Sequence, residues 1–212
     1  MKKIRHFIIA LLLVFLFSGC LTTLYPIFHP DEAIFNEKLL GYWNCVDKNK
    51  KVSFIEFTRI PASRNRELSP ALREISGKGY FVNRINVSGD ITDQYFVFLV
   101  KIGTNFYLDY FPAELPSQKN VNRFYKDHYI KLHSNYRLDM KDNNHFEIRL
   151  FEKTFLDKLI SDNKISIRHE VMGDKNLVTA STDELQKFIM KYGDNPDAFV
   201  GNSTYCSRII DY

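Results

Sequence analysis

Glycine is scarce in this chain, nine in 212 residues, and tryptophan occurs once. No glycine-rich phosphate loop is present. Gly201-Asn202-Ser203-Thr204-Tyr205 lacks the final glycine of a serine nucleophile elbow. With three cysteines there is no Cys-x-x-Cys pair, and the six histidines form neither H-E-x-x-H nor H-x-H. A metal site needs three or four converging ligands, so no metal ligand, catalytic residue or cofactor is assigned. Charge of one sign is also lacking. Setting aside Lys2, Lys3 and Arg5, the rest carries 26 basic against 25 acidic side chains. Such a balance creates no field that draws nucleic acid. No apolar run reaches the roughly 20 residues of a membrane-spanning helix; the longest, Phe7 to Phe17, has 11.

That run has another use. Lys2, Lys3, Arg5 and His6 precede it, and Phe17-Ser18-Gly19-Cys20 follows. A basic start, a short apolar stretch and small residues read as an export signal. The four closing residues resemble the lipobox of bacterial lipoproteins, with Phe17 in place of the usual Leu. The resemblance implies cleavage before Cys20, lipid on its sulfur and new amino terminus, and attachment to a membrane. Two or more acyl chains hold a protein stably where one does not. Leu21, rather than Asp, follows Cys20, which by the same resemblance implies the outer membrane of a two-membrane cell. The expected organisation is a signal over 1–19, a lipidated tether over 20–30 and one folded domain over 31–212.

Cys45 and Cys206 remain as an even pair in an oxidising compartment. They stand near opposite ends of the folded region, so a disulfide between first and last strands pins a barrel closed. Their Cα atoms are expected about 4.4–6.8 Å apart. Two buried free thiols are the alternative.

Hydrophobic use of 45%, with 15% aromatic, supports one sizeable core rich in strands. Asp31 to Leu40 reads as a brief helix, and Gly41-Tyr42-Trp43 opens a first strand. Further strands are expected at Lys51–Arg59, Lys78–Val87, Asp93–Ile102 and Asn105–Phe111. Phe96 to Val100 is apolar throughout, as a strand covered on both faces is. Ser69 before Pro70 marks one short helical turn. Phe155, Leu156, Leu159 and Ile160 mark a helix. Short strands follow around Ile165–Val171 and Leu177–Ala180. Ser181-Thr182-Asp183-Glu184 is a capping box, and Gly193 stops the helix it begins. A last strand closes at Tyr205–Ile210. The fold class is mainly β: an antiparallel barrel, or a sandwich, with two helices outside.

From Ile130 to Leu150 apolar residues fall on even positions, the pattern of a hairpin with one wet face. A loop of Lys141-Asp142-Asn143 sets Leu138 opposite Phe146 and Asp139 opposite His145. The next allowed register faces Asp139 with Glu147, a like-charge pair that costs stability. His133 and His145 read as solvent-facing strand residues. Lys119, Arg123, Lys126 and Lys131, with Phe124, Tyr125 and Tyr129 among them, read as a solvated face.

Gly41-x-Trp43 after a short helix, with a late helix before a closing strand, resembles the lipocalins, eight-stranded barrels that hold one small apolar ligand. Thr92-Asp93-Gln94-Tyr95 is near the second lipocalin motif but carries an extra Gln. The third motif supplies an Arg over the Trp, and Arg168 is the candidate. The run from Leu177 to Leu185 is similar to the helix start of small lipocalin-like lipoproteins of Gram-negative bacteria. The resemblance implies a non-enzymatic, lipid-anchored envelope domain that binds an apolar or amphipathic small molecule or a partner protein. An interaction subunit with a solid-packed barrel, or an envelope hydrolase, are the alternatives. The first two differ at inward positions: a packed barrel fills them with large apolar residues, and a cavity leaves gaps and a few polar groups.

Overall fold

The computed structural model describes residues 22–113, 129–173, 175–199 and 203–210. Cys20 with its leader, the stretch from Lys119 to Lys126, and His128 lie outside the described residues. The strands are β1 (Thr22–Thr23), β2 (Gly41–Asp47), β3 (Val52–Arg59), β4 (Gly79–Ile85), β5 (Ile91–Ile102), β6 (Asn105–Pro112), β7 (His133–Met140), β8 (His145–Leu150), β9 (His169–Met172), β10 (Lys175–Val178) and β11 (Ser203–Arg208). The α-helices are α1 (Pro70–Glu74), α2 (Lys153–Ser161) and α3 (Thr182–Tyr192).

Strands β2 to β8 form an antiparallel meander, and β6 pairs with β7 as well as β5. Strand β11 then pairs with both β8 and β2, which closes an eight-stranded barrel. The sandwich alternative is thereby set aside. Closure removes the exposed edges that an open sheet would present. Between β8 and β11 the chain inserts α2, β9, β10 and α3. Strands β1, β10 and β9 form a short wing that hydrogen-bonds to the start of β7 beyond the end of β8.

Two cores share the sheet. Inside the barrel lie Trp43, Ile55, Phe57, Tyr80, Val82, Val97, Leu99, Leu108, Leu138, Phe146 and Ile148. Outside it, Phe81, Phe96, Phe98, Val100 and Phe111 pack with Leu156 and Leu159 of α2 and Leu185, Phe188 and Ile189 of α3. Phe96 to Val100 is therefore buried on both faces, as its unbroken apolar run demands. The segment ahead of Asp31, expected as a tether, is built into the fold. Thr22 and Thr23 pair with β7 and β10, and Ile27 and Phe28 are fully buried in the outer core.

Local signals act where the sequence places them. Ser69 caps α1, its hydroxyl accepting from the Leu72 N–H, with Pro70 at the first helical position. Ser181 and Glu184 form the reciprocal capping box of α3. Gly193 ends that helix for a different reason than expected. Its φ is −64°, and a Cβ there would lie 2.3 Å from the Tyr107 hydroxyl oxygen. Close approach, not a left-handed backbone, requires the glycine.

Two local expectations are corrected. Asp31 to Leu40 is not one helix but two 3-10 turns, Pro30–Glu32 and Glu37–Leu39. Between them Ala33 is extended, and the Ile34 N–H donates to the Leu99 carbonyl at the rim of β5. The β7–β8 register is the longer-looped one: Met140 faces Phe146, Leu138 faces Ile148, and Asp139 faces Glu147. The even positions do share one face, with Leu138, Phe146, Ile148 and Leu150 all buried. The repulsion expected of the acidic pair is absorbed by cations. Arg149 bonds Asp139 through two nitrogens and lies 4.0 Å from Glu147, while Arg137 meets Asp139 and Lys141 reaches Glu147. The loop is held by Asp142, which accepts from the Asn144 N–H and the His145 ring.

Candidate functional site

The barrel has a closed base and an open mouth. At the base, the buried Trp43 indole donates to the Leu39 carbonyl at 2.9 Å and meets Phe146 edge-on, centroids 4.5 Å apart. Arg208 of β11 lays its guanidinium 4.3 Å above the Trp43 ring. The same guanidinium donates to the carbonyls of Leu40 (2.7 Å), Lys38 and Asn143 (3.3 Å). It ties the turn before β2, the β7–β8 loop and the last strand into one plug. Gly41 makes room for this: its φ is +114°, and a Cβ there would stand 2.8 Å from the Arg208 Nη1. The triplet Gly41-x-Trp43 thus has a physical reading, in which the glycine admits the cation that covers the indole.

Arg168 does not fill this role. It lies on the surface, paired at 2.7 Å with Glu184 of the α3 capping box. That ion pair, with the Ser181 hydrogen bonds, holds the Glu184 carboxyl down at about 2.

One turn of strand above the plug, Cys45 and Cys206 face each other across β2 and β11 and are disulfide-bonded, as expected. Both are fully buried, and their Cα atoms are 4.1 Å apart, slightly below the expected range because the two residues are directly opposed.

Toward the mouth the inward positions stop filling the space. A cavity of about 340 Å³ is lined by Ile55, Val82 and Ile148, by Tyr95, Tyr110 and Tyr136, and by Asp47, Lys51, Ser53, Arg84, Ser134 and Thr204. Its size falls within the range of small-molecule sites. Tyr95 and Tyr136 meet Tyr110 edge to face, their ring centroids 5.7 Å and 5.0 Å from its own. Tyr110 is 8% exposed, and its hydroxyl is buried with no hydrogen-bond partner among the described residues. Burial pushes its ionisation far up, against the opposing pull of Arg84, so the phenol stays a neutral donor. A buried hydroxyl left unbonded costs about 1–3 kcal/mol, and an acceptor entering the cavity would recover that.

A second depression lies outside the barrel, about 300 Å³, lined by Pro26, Phe28, Pro30, Leu72, Phe111, Lys131 and His133 among others. Behind it, Asp109 is fully buried. One carboxylate oxygen accepts from the Ile27 N–H at 2.9 Å, and the other meets His133 Nδ1 at 2.5 Å. His133 is thus buried rather than solvent-facing, because β1 and the segment around Phe28 cover the outer face of β7 there. His145 does stay near the surface, against Asp142. Lys131 reaches the Glu67 carbonyl and sits over Phe96, and desolvation lowers its pKa. Among the described residues no three His, Cys, Asp or Glu side chains gather as a metal site. No helix among them is long and apolar enough to cross a membrane.

The class these features define is the lipocalin-like barrel: a closed eight-stranded antiparallel meander, plugged at one end and open at the other, with helices packed outside. No protein family matches the chain, and neither a curated protein nor a solved structure matches it.

Proposed function

We propose that this chain is a lipid-anchored domain of the bacterial cell envelope that holds an apolar or amphipathic small molecule in the open half of its barrel. The observation that carries this reading is the cavity with Tyr110 in its wall, its buried hydroxyl without a hydrogen-bond partner among the described residues. A barrel built only as a scaffold gains by filling that space and by replacing the phenol with an apolar ring. The mixed lining suits a ligand with both an apolar body and a polar group. The anchor reading rests on the basic start, the 11-residue apolar run and the small pair before Cys20, and the outer membrane is its expected address. The first described strand starts at Thr22, two residues after Cys20, so a lipidated Cys20 would hold the barrel close against the membrane.

Native mass spectrometry of protein extracted from its membrane tests both halves. The expected result is an acylated terminal Cys20 and a bound small molecule, released on unfolding. An intact Met1 overturns the anchor. Failure of any lipid or small amphipath to bind the emptied protein overturns the binding role.

A second reading, a docking subunit for an envelope protein, draws on β9. That strand ends the sheet and carries Val171 and Met172 at 71% and 61% exposure. Exposed strand edges are templates for strand addition. Charged substitutions at Val171 and Met172 would release a partner under this reading and leave small-molecule binding unchanged.

A further inference from the structure

The cavity carries a charge pattern that narrows its ligand, an inference that rests on the binding role proposed for it. Three ionisable side chains of fixed charge line it: Asp47, Lys51 and Arg84. Asp47 is already engaged, since its Oδ1 accepts from the N–H groups of Asn49 at 2.8 Å and Lys51 at 2.9 Å. Those bonds shape the β2–β3 turn and direct the carboxylate to backbone. The side chains of Lys51 and Arg84, in contrast, form no ion pair among the described residues, although most arginines of this chain do find one or a row of carbonyls. Arg84 is close enough to Tyr110 to act on its phenol electrostatically.

We infer that the cavity takes an amphipath with an anionic head, a carboxylate or a phosphate, held by Arg84, Lys51 and the Tyr110 hydroxyl, with its apolar body against Ile55, Val82 and Ile148. The donors suit oxygen acceptors. Arg84 offers a planar fork that matches two oxygens of one head. Lys51 adds a mobile point charge at the rim. Tyr110 supplies a neutral O–H that finds no acceptor among the described residues. A cationic head would meet two like charges and an already engaged carboxylate. An uncharged alcohol would satisfy Tyr110 and leave both cations unused. The apolar wall is short, so a chain of about ten carbons, partly protruding at the mouth, is the fitting size for a 340 Å³ space.

Isothermal titration of the purified protein, freed of co-purified small molecules, with decanoate, decyl phosphate, decan-1-ol and decylamine tests this. At least one anionic probe is expected to bind ten-fold or more tightly than the alcohol, and the amine most weakly. The order of decanoate and decyl phosphate separates a carboxylate ligand from a phosphate one. Arg84→Gln should bring the anionic probe down to the level of the alcohol while decan-1-ol binding stays the same. Lys51→Gln should weaken the anion about three-fold and reduce the salt dependence of the binding that remains. Arg84 and Lys51 are exposed, and an unchanged circular dichroism spectrum and melting temperature show that the variants fold. Equal or tighter binding of the alcohol or amine overturns the anionic head while leaving the binding role in place. Binding of none of the four overturns both.

Discussion

The two ends of this barrel are made by the same strands under the same alternation, and they end in opposite ways. At the base the inward positions are spent on packing: Trp43, Phe57, Tyr80, Leu108 and Phe146 are buried in one cluster, and the Trp43 indole and Tyr80 hydroxyl are hydrogen-bonded. Tyr80 shows the rule, accepting from the Asn36 N–H and donating to its carbonyl. At the mouth Tyr110 is buried too, but its hydroxyl is left unbonded beside open space. The inward tyrosine at the base completes its hydrogen bonds, and among the described residues the one at the mouth does not. The base is thus the well-packed half, and the mouth, where packing is incomplete, is the half that the proposed binding role would use.

Substitutions at the two ends should separate stability from binding. Trp43→Ala removes the largest side chain of the plug and is expected to cost about 3–5 kcal/mol in urea unfolding. A loss below about 1 kcal/mol would mean that the base is not the well-packed half. Replacing Cys45 and Cys206 together by Ala opens a loop that spans 161 residues of sequence and should cost about 2–4 kcal/mol. The comparison to make is the melting temperature of the oxidised protein, the reduced protein and the double variant. Arg208→Ala strips the indole of its cation and leaves three carbonyls without their donor, for about 1–3 kcal/mol. Arg168→Ala, on an exposed pair, should leave the unfolding midpoint essentially unchanged. Similar losses for both would return Arg168 to the motif.

Alkaline titration sharpens the comparison without mutation. Desolvation raises Tyr80 and Tyr107 each to about 12 against an ordinary 10, and Tyr110 further still. For an acid whose folded value lies above its unfolded one, the stabilisation is whole below pH 10 and fades as pH rises through 12. In difference spectra these three tyrosines should therefore ionise late, appearing only as the fold is lost. The smallest cost in stability belongs to Tyr110→Phe, which should lose nothing and gain up to about 1 kcal/mol, because it deletes a donor that has no partner. The same change should weaken an acceptor-headed ligand. A large destabilisation instead would show that the hydroxyl has a structural bond after all.

Much of this architecture is legible in the residues. Period two marks the strands, the unbroken Phe96–Val100 run marks the strand shared by two cores, and Ser181-x-x-Glu184 marks the start of α3. The features that escape a reading of the chain depend on neighbours that sequence spacing does not reveal. Asp139 and Glu147 look incompatible until Arg149 is placed beside them. His133 and Asn135 occupy positions that alternation assigns to water, but β1 and the segment after it cover them. Arg208 is within reach. Once Cys45 is joined to Cys206, antiparallel pairing two residues on sets Arg208 opposite Trp43. The disulfide thus names the arginine that covers the indole. The gap at Tyr110 has no such signal, because an inward tyrosine reads the same whether the space before it is filled or open.

The seam between β2 and β11 has a consequence for how the chain comes to be. Its pairing partners stand some 160 residues apart, from the first long strand to the last residues described. Long-range pairing of this kind slows folding, since the entropy of closing the loop is spent before any contact rewards it. A nascent chain halted between Leu150 and Ser203 carries seven meander strands with two raw edges, β2 and β8, and a half-built ring is an aggregation hazard. A chaperone that shields strand edges would be needed most in the interval before the final ten residues arrive, and a truncation of those few residues should be far more harmful to yield than their share of the mass suggests.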